Sequence, residues 1–440
     1  MRAQSCRLPA ALSVLTFTAA AFTGLAAPAV AGTMTPAVAA HPQYQRVAQL
    51  GANPAATTFS CQITTPAGCY GPAQVRAAYG VDKLAKFHLD GAGRTIVIID
   101  AFQSPTISQD LATFNTLFGL PAAPLDIIAP DGLTPFDQAD PTQTGWAGEI
   151  TLDVEYAHAI APAAKIDLVL AKSSNDADIL SAQRFVVDHN LGDVISQSFG
   201  EAEQCMDPVL LQGAHKVFQQ AQAKGITVFA SSGDQGSAQP TCDGTSFFKA
   251  ASTPASDPLV TSVGGTILDA DGITGVYHSE KVWNEPDFAS AGGGGFSTVF
   301  GTPAFQRGLR LPSRGVPDIA YNAAIIGGVL AVWSSSGLGA NLVFRFGGTS
   351  AGSPQWAGLV ALADQLGRHR IGYINDALYA LGRSQLSGVL LHDITVGDNT
   401  YHGDVTVPGF AATKGWDAAS GLGSPKAEAL VPALAVATGH

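Results

Sequence analysis

The sequence predicts an α/β fold in which a mainly parallel central sheet is covered by helices on both faces, within a single large domain. Continuous apolar runs rich in β-branched residues recur at 94–100, 165–170, 193–196 and 226–230, the pattern of strands buried on both sides. Helical stretches alternate with them at 109–118, 149–159, 176–189 and 208–224, so the chain reads as successive βαβ units. In sheets of this kind chemistry collects at the carboxyl ends of the strands. From 259 to 317 the strand-like pieces shorten, and a glycine cluster, 292–295, reads either as a linker or as a tight loop that lets a substrate backbone approach.

The composition supports one large core. Hydrophobic residues make up 46% of the 440 positions and charged residues only 13%, so much of the chain can be buried. A formal charge of -12 argues against nucleic acid or an anionic membrane as partner. Arg2 and Arg7, the apolar run 10–27 and Ala29-Val30-Ala31 read as an export signal over 1–31, with Ala37-Val38-Ala39 as a second candidate cleavage site. No later apolar stretch is long enough for a membrane anchor, so a secreted, extracellular chain is expected. Residues 32–68 read as a short flexible leader and 69–440 as the folded domain. Four cysteines follow the signal. Their even number predicts two disulfides, and of three connectivities the local one, Cys61 with Cys69 and Cys205 with Cys242, is expected. No Cys-x-x-Cys spacing supports the rival zinc site.

Three stretches carry candidate chemistry. Gly347-Gly348-Thr349-Ser350-Ala351-Gly352 can turn tightly and leads into an apolar run at helical spacing that ends near Gly367. Ser350 therefore sits at the mouth of a buried helix, where amide groups favour negative charge, as a nucleophile needs. Glu149 and Asp153 lie four apart in a helical stretch whose following residues are mostly apolar. Buried carboxylates without compensation are costly, and a pair sharing one proton, with one member poised as a base, relieves that cost. Asp234, in Ser231-Ser232-Gly233-Asp234, follows a strand directly, as a simple turn aspartate or as a group held over a reaction centre.

Glu149-x-x-x-Asp153, Ser-Gly-Asp234 and Gly-Thr-Ser350-x-x-x-Pro354, in this order, resemble the sedolisin (serine-carboxyl peptidase) family. Gly293-Gly294-Gly295-Phe296-Ser297, Val316-Pro317-Asp318 and Gly415-Trp416-Asp417 extend the likeness from about Tyr70 to the C-terminus. The resemblance implies a subtilisin-like fold and a serine-type endopeptidase acting on polypeptides as a monomer. Ser350 would attack the peptide carbonyl, Glu149 would take its proton, Asp153 would support Glu149, and Asp234 would donate to the oxyanion. A carboxyl group donates only when protonated, so activity in acid is expected. The resemblance also implies one structural Ca²⁺ held by Asp393 and Asp417 with the carbonyls of Ile394, Thr413 and Gly415, an oxygen-only set that suits calcium.

Members of that family carry a long folded pro-domain, for which the roughly 40 residues after the signal are too few. Three rivals remain in view. A tripeptidyl-type exopeptidase would share every motif, and a secreted binding protein on an inactive peptidase scaffold would not need all four side chains. A conventional subtilisin would need a catalytic histidine, and His158, His189 and His215 all fall in helical stretches without its sequence context.

Overall fold

The computed structural model describes residues 37–40, 42–51 and 57–438. The expected signal, 1–31, lies outside the described residues, as does Cys6. Eleven strands and five helices suffice to place the site. In chain order the strands are β1 (Gln43–Gln49), β2 (Thr95–Ala101), β3 (Leu125–Ile128), β4 (Lys165–Ala171), β5 (Val194–Gln197), β6 (Thr227–Ser231), β7 (Thr261–Ala270), β8 (Tyr277–Val282), β9 (Ile319–Asn322), β10 (Gly328–Trp333) and β11 (Leu342–Gly347). The helices are α1 (Ile107–Phe118), α2 (Pro141–Ile160), α3 (Asp176–Asp188), α4 (Pro208–Ala223) and α5 (Gly352–Gly367).

The central sheet runs β8-β7-β6-β5-β2-β4-β3, with β9 also paired to β7. All its pairings are parallel except β7 with β8. The buried runs at 94–100, 165–170, 193–196 and 226–230 thus fall on β2, β4, β5 and β6, each buried on both faces because helices cover each side. On one face lies the core built on α2 and α5. On the other, α3 and α4 bury Ile179, Leu180, Val217 and Phe218 against the sheet. Helix α2 is buried continuously from Trp146 to Ile160. It meets α5 so closely that a Cβ on Gly358 would stand 2.7 Å from Ile160.

The expected flexible leader needs correction over its described part. Strand β1 pairs antiparallel with β11, and β11 pairs in turn with β10. Tyr44 packs edge-on against Trp333 at 5.0 Å and Phe344 at 5.6 Å, while Arg345 Nε donates to Gln45 Oε1 at 3.1 Å. An edge strand otherwise left open recruits these residues, although their own sequence carries a weak strand signal.

Both disulfides form with the local pairing, Cys61–Cys69 and Cys205–Cys242. The glycine cluster is no linker: a Cβ on Gly293 or Gly294 would stand 2.0 Å from the carbonyl oxygen of Ser232 or Ala418. Among the described residues no helix is long and apolar enough to cross a membrane.

Candidate active site

Strand β2 carries Asp100 as its last residue but one, β5 runs out into Ser198-Phe199-Gly200, and β6 into Ser232-Gly233-Asp234. All three lie at the carboxyl end of the sheet, on both sides of the point where the strand order reverses. Helix α2 brings Glu149 and Asp153 to the same end, and a short turn, Thr349–Ala351, presents Ser350 just before α5 begins. Ser196 Oγ lies 2.8 Å from Ser353 Oγ, which ties β5 to the first turn of α5 and fixes that turn against the sheet.

Side chains far apart in the sequence converge here. Asp153 Oδ1 accepts from Ser198 Oγ at 2.9 Å, and Ser350 Oγ lies 3.5 Å from the Ser198 carbonyl. Glu149 is fully buried, and neither of its oxygens accepts a close hydrogen bond among the described residues. The Ser350 hydroxyl and the Asp153 carboxyl lie near enough to act on its protonation. Burial, then the charge of Asp100, pushes both Glu149 and Asp153 well above the usual carboxylate range. Glu155, two residues along α2, differs: its Oε2 accepts the Val332 N–H at 2.9 Å and pins the helix to β10.

Asp234 stands across from this pair. Its Oδ1 accepts from both the backbone N–H and Oγ1 of Thr349, each at 2.8 Å. Gly348 has φ 117°, and a Cβ there would stand 2.7 Å from Asp234 Oδ2, so glycine is needed beside that oxygen. Burial pushes Asp234 up to about 6 against the pull of the Thr349 donors.

Asp100 was not singled out from the sequence. It is fully buried, neither oxygen has a partner among the described residues, and burial pushes it up to about 8. The available signal is one acidic residue near the end of a largely apolar strand, at the sheet's carboxyl end. The three histidines are engaged elsewhere: His158 with the Pro121 carbonyl, His189 with the Phe185 carbonyl, and His215 with Asp257 at 2.7 Å.

A stretch of the chain itself pairs with the segment that follows Ser198. Ala39 exchanges two backbone hydrogen bonds with Gly200, at 3.1 and 3.2 Å, and the Val38 N–H donates to the Ser174 carbonyl at 3.1 Å. Ala37 is bridged antiparallel to Asn175. Opposite, Gly293 and Gly233 share a 2.7 Å backbone bond, and Ser232 Oγ donates to the Gly293 carbonyl at 2.7 Å, so the glycine loop backs the Asp234 turn.

The residues expected to hold calcium lie behind that loop. The Gly415 N–H donates to both oxygens of Asp393 at 3.1 Å. Asp417 accepts from the N–H groups of Thr413, Ala419 and Ser420. These bonds gather two carboxylates and the 413–417 backbone, a hard-oxygen donor set of the kind calcium takes. Among the described residues no group of three or more His, Cys, Asp or Glu could hold a metal, so carbonyls would have to complete the shell. Asn399 Nδ2 bridges the carbonyls of Gly292 and Ala418, at 3.1 and 3.3 Å, and links this region to the cleft wall.

A family model described as the subtilase family matches residues 144–402. Kumamolisin of Bacillus sp. (strain MN-32) is 34% identical over 379 residues, which cover 83% of this chain and 63% of kumamolisin. Tripeptidyl-peptidase 1 of Rattus norvegicus is 28% identical over 353 residues, covering 76% and 58%. A solved structure of Pseudomonas sedolisin, a serine-carboxyl proteinase complexed with pseudo-iodotyrostatin, superposes with a TM-score of 0.71 at 29% identity, covering 82% of this chain and 97% of that one. The chain spans less than two thirds of the length of these curated relatives. An α/β sheet of this order, with acid residues gathered around a serine at its carboxyl end, defines a subtilisin-like hydrolase scaffold. The chain belongs to the subtilase family, in its sedolisin, or serine-carboxyl peptidase, branch.

Proposed function

We propose that this chain is a secreted serine-carboxyl endopeptidase that hydrolyses polypeptides in acid. Ser350 Oγ attacks the peptide carbonyl and passes its proton to Glu149, which then delivers it to the leaving amine. Water, deprotonated by Glu149, hydrolyses the acyl-serine and restores the hydroxyl. Asp153, fixed by Ser198, shares a proton with Glu149 and holds it in place. Asp234 donates from Oδ2 to the oxyanion while it is protonated, which for a group near 6 means acid conditions. The observation that carries this reading is the burial of Glu149, Asp153 and Asp234 around Ser350, with no ion pair at any of the three among the described residues.

The Ala37–Ala39 pairing favours internal cleavage over release of tripeptides. A peptide substrate bound in the same register would set the residue two beyond its Gly200 partner opposite Ser198, whose carbonyl lies beside Ser350 Oγ. Counting back from that residue, the place taken by Ala39 is the third upstream of the cleaved bond and that of Val38 the fourth. The track therefore continues past the point where a tripeptide would end.

Asp393, Asp417 and the carbonyls of Ile394, Thr413 and Gly415 would hold a Ca²⁺ that supplies rigidity to the loop behind the cleft wall, with no part in bond cleavage. The decisive experiment compares hydrolysis of a denatured protein at pH 4 by the wild type and by Ser350→Ala. Cleavage by the wild type alone supports the proposal. Cleavage by both, or by neither, defeats it.

A further inference from the structure

We propose that the pocket for the fourth residue upstream of the cleaved bond binds a lysine or arginine side chain through the carboxyl pair Asp176 and Glu201. The inference rests on the peptidase reading above, because that reading assigns Val38 its place in the track. The antiparallel pairing of Ala39 with Gly200 sets Val38 opposite Glu201. The pairing of Ala37 with Asn175 sets Val38 opposite Ser174, and Asp176, the first residue of α3, lies close enough to Glu201 and to the Val38 backbone to act on their shared surroundings. Val38 is only 4% exposed and belongs to the apolar cluster of Phe199, Trp146, Ile179 and Leu180. The pocket is therefore apolar where Val38 lies, and its other end is acidic.

The acidic end is unfinished. Asp176 is 1% exposed, and neither of its oxygens, nor Glu201 Oε1, accepts a hydrogen bond among the described residues. No ion pair among the described residues reaches either group. Valine fills the apolar bed and brings no charge to the carboxyls. A longer side chain would lay its methylenes along the same bed and carry its charge to them. Charge-assisted hydrogen bonds to a buried carboxylate are among the strong ones, and Asp176 opens α3, where the helix N-terminus favours the ionised form. Burial pushes both acids up, Asp176 with the charge of Asp207 added and Glu201, with the charge of Asp176 added, to about 8.

The test uses the full chain carrying Ser350→Ala and two peptides that differ only in lysine or norleucine at the fourth upstream place, titrated calorimetrically at pH 6. The chain's own segment competes equally with both, so the affinity ratio is unaffected by it. The lysine peptide should bind about tenfold more tightly or better, and Asp176→Asn with Glu201→Gln should erase the difference. Equal affinities, or a difference that survives both substitutions, would overturn the proposal. A second comparison needs no added peptide: Val38→Lys against Val38→Met. With the pair intact, Val38→Lys should melt at or above Val38→Met, and below it once both acids are neutralised. Val38→Lys melting well below Val38→Met with the acids intact also overturns the proposal. Both measurements are independent of turnover, so a chain that cleaves nothing would fail as a peptidase while these results still decide the pocket.

Discussion

Asp234 Oδ1 receives two hydrogen bonds from Thr349, one from its backbone N–H and one from its hydroxyl, which leaves Oδ2 beside Gly348 as the oxygen able to carry a proton. With the group pushed up to about 6, Oδ2 bears that proton in acid and loses it towards neutrality. An asparagine keeps the Thr349 contacts through its carbonyl and donates from its amide at every pH. Asp234→Asn should therefore raise the ratio of kcat/KM at pH 7 to that at pH 4 above the wild-type ratio. Asp234→Ala should cost about 10²–10³ in kcat at pH 4. Parallel pH profiles for wild type and Asp234→Asn would remove Asp234 from the oxyanion site.

In the proposed mechanism Glu149 acts only through Ser350, so the two should fail as a unit. Glu149→Gln should lower kcat at pH 4 by about 10²–10⁴, and adding Ser350→Ala should lower it little further. Single-turnover rates on one peptide measure both. Losses that multiply in the double variant would mean that the two side chains act independently.

Asp100 ties the acid cluster to stability. Its folded-state value, about 8, lies above the ordinary 3.8. The folded chain thus keeps a proton that the unfolded chain releases. Its contribution is full below about pH 4 and is lost as pH rises towards 8. Asp100→Asn should raise the melting temperature at pH 8 relative to wild type, with a smaller difference at pH 4. Equal differences at the two pH values would contradict a buried, protonated Asp100.

Chelation should be felt at a distance. Asn399 joins the carbonyls of Gly292 and Ala418, so loosening the 413–417 loop also loosens the backing of the Asp234 turn. A chelator should lower both the melting temperature and kcat, and added Ca²⁺ should restore them. Unchanged values of both would show that Asp393 and Asp417 are turn residues without an ion.

What the sequence made legible was local or periodic. The Glu149–Asp153 spacing shares one helix face, the Ser350 turn adjoins its own helix, and the disulfides span 8 and 37 residues. Asp100 escaped because a lone aspartate at the end of an apolar run looks like a strand terminus, and its neighbours come from a helix some 50 positions away. Strand β1 escaped because its partner lies about 300 residues further on, as Gln45 and Arg345 illustrate, and nothing within 43–49 announces it. The glycine cluster stayed ambiguous until the carbonyls of Ser232 and Ala418 were seen to leave no room for a side chain.

The central claim is that carboxyl groups perform here what an imidazole and an amide perform in other serine peptidases. The pH–rate profile of kcat/KM on a single internally cleaved peptide tests it most directly. Carboxyl chemistry predicts a maximum in acid and a decline through about pH 6, where Asp234 loses its proton. A rate that climbs towards neutrality and stays level into alkali would contradict it.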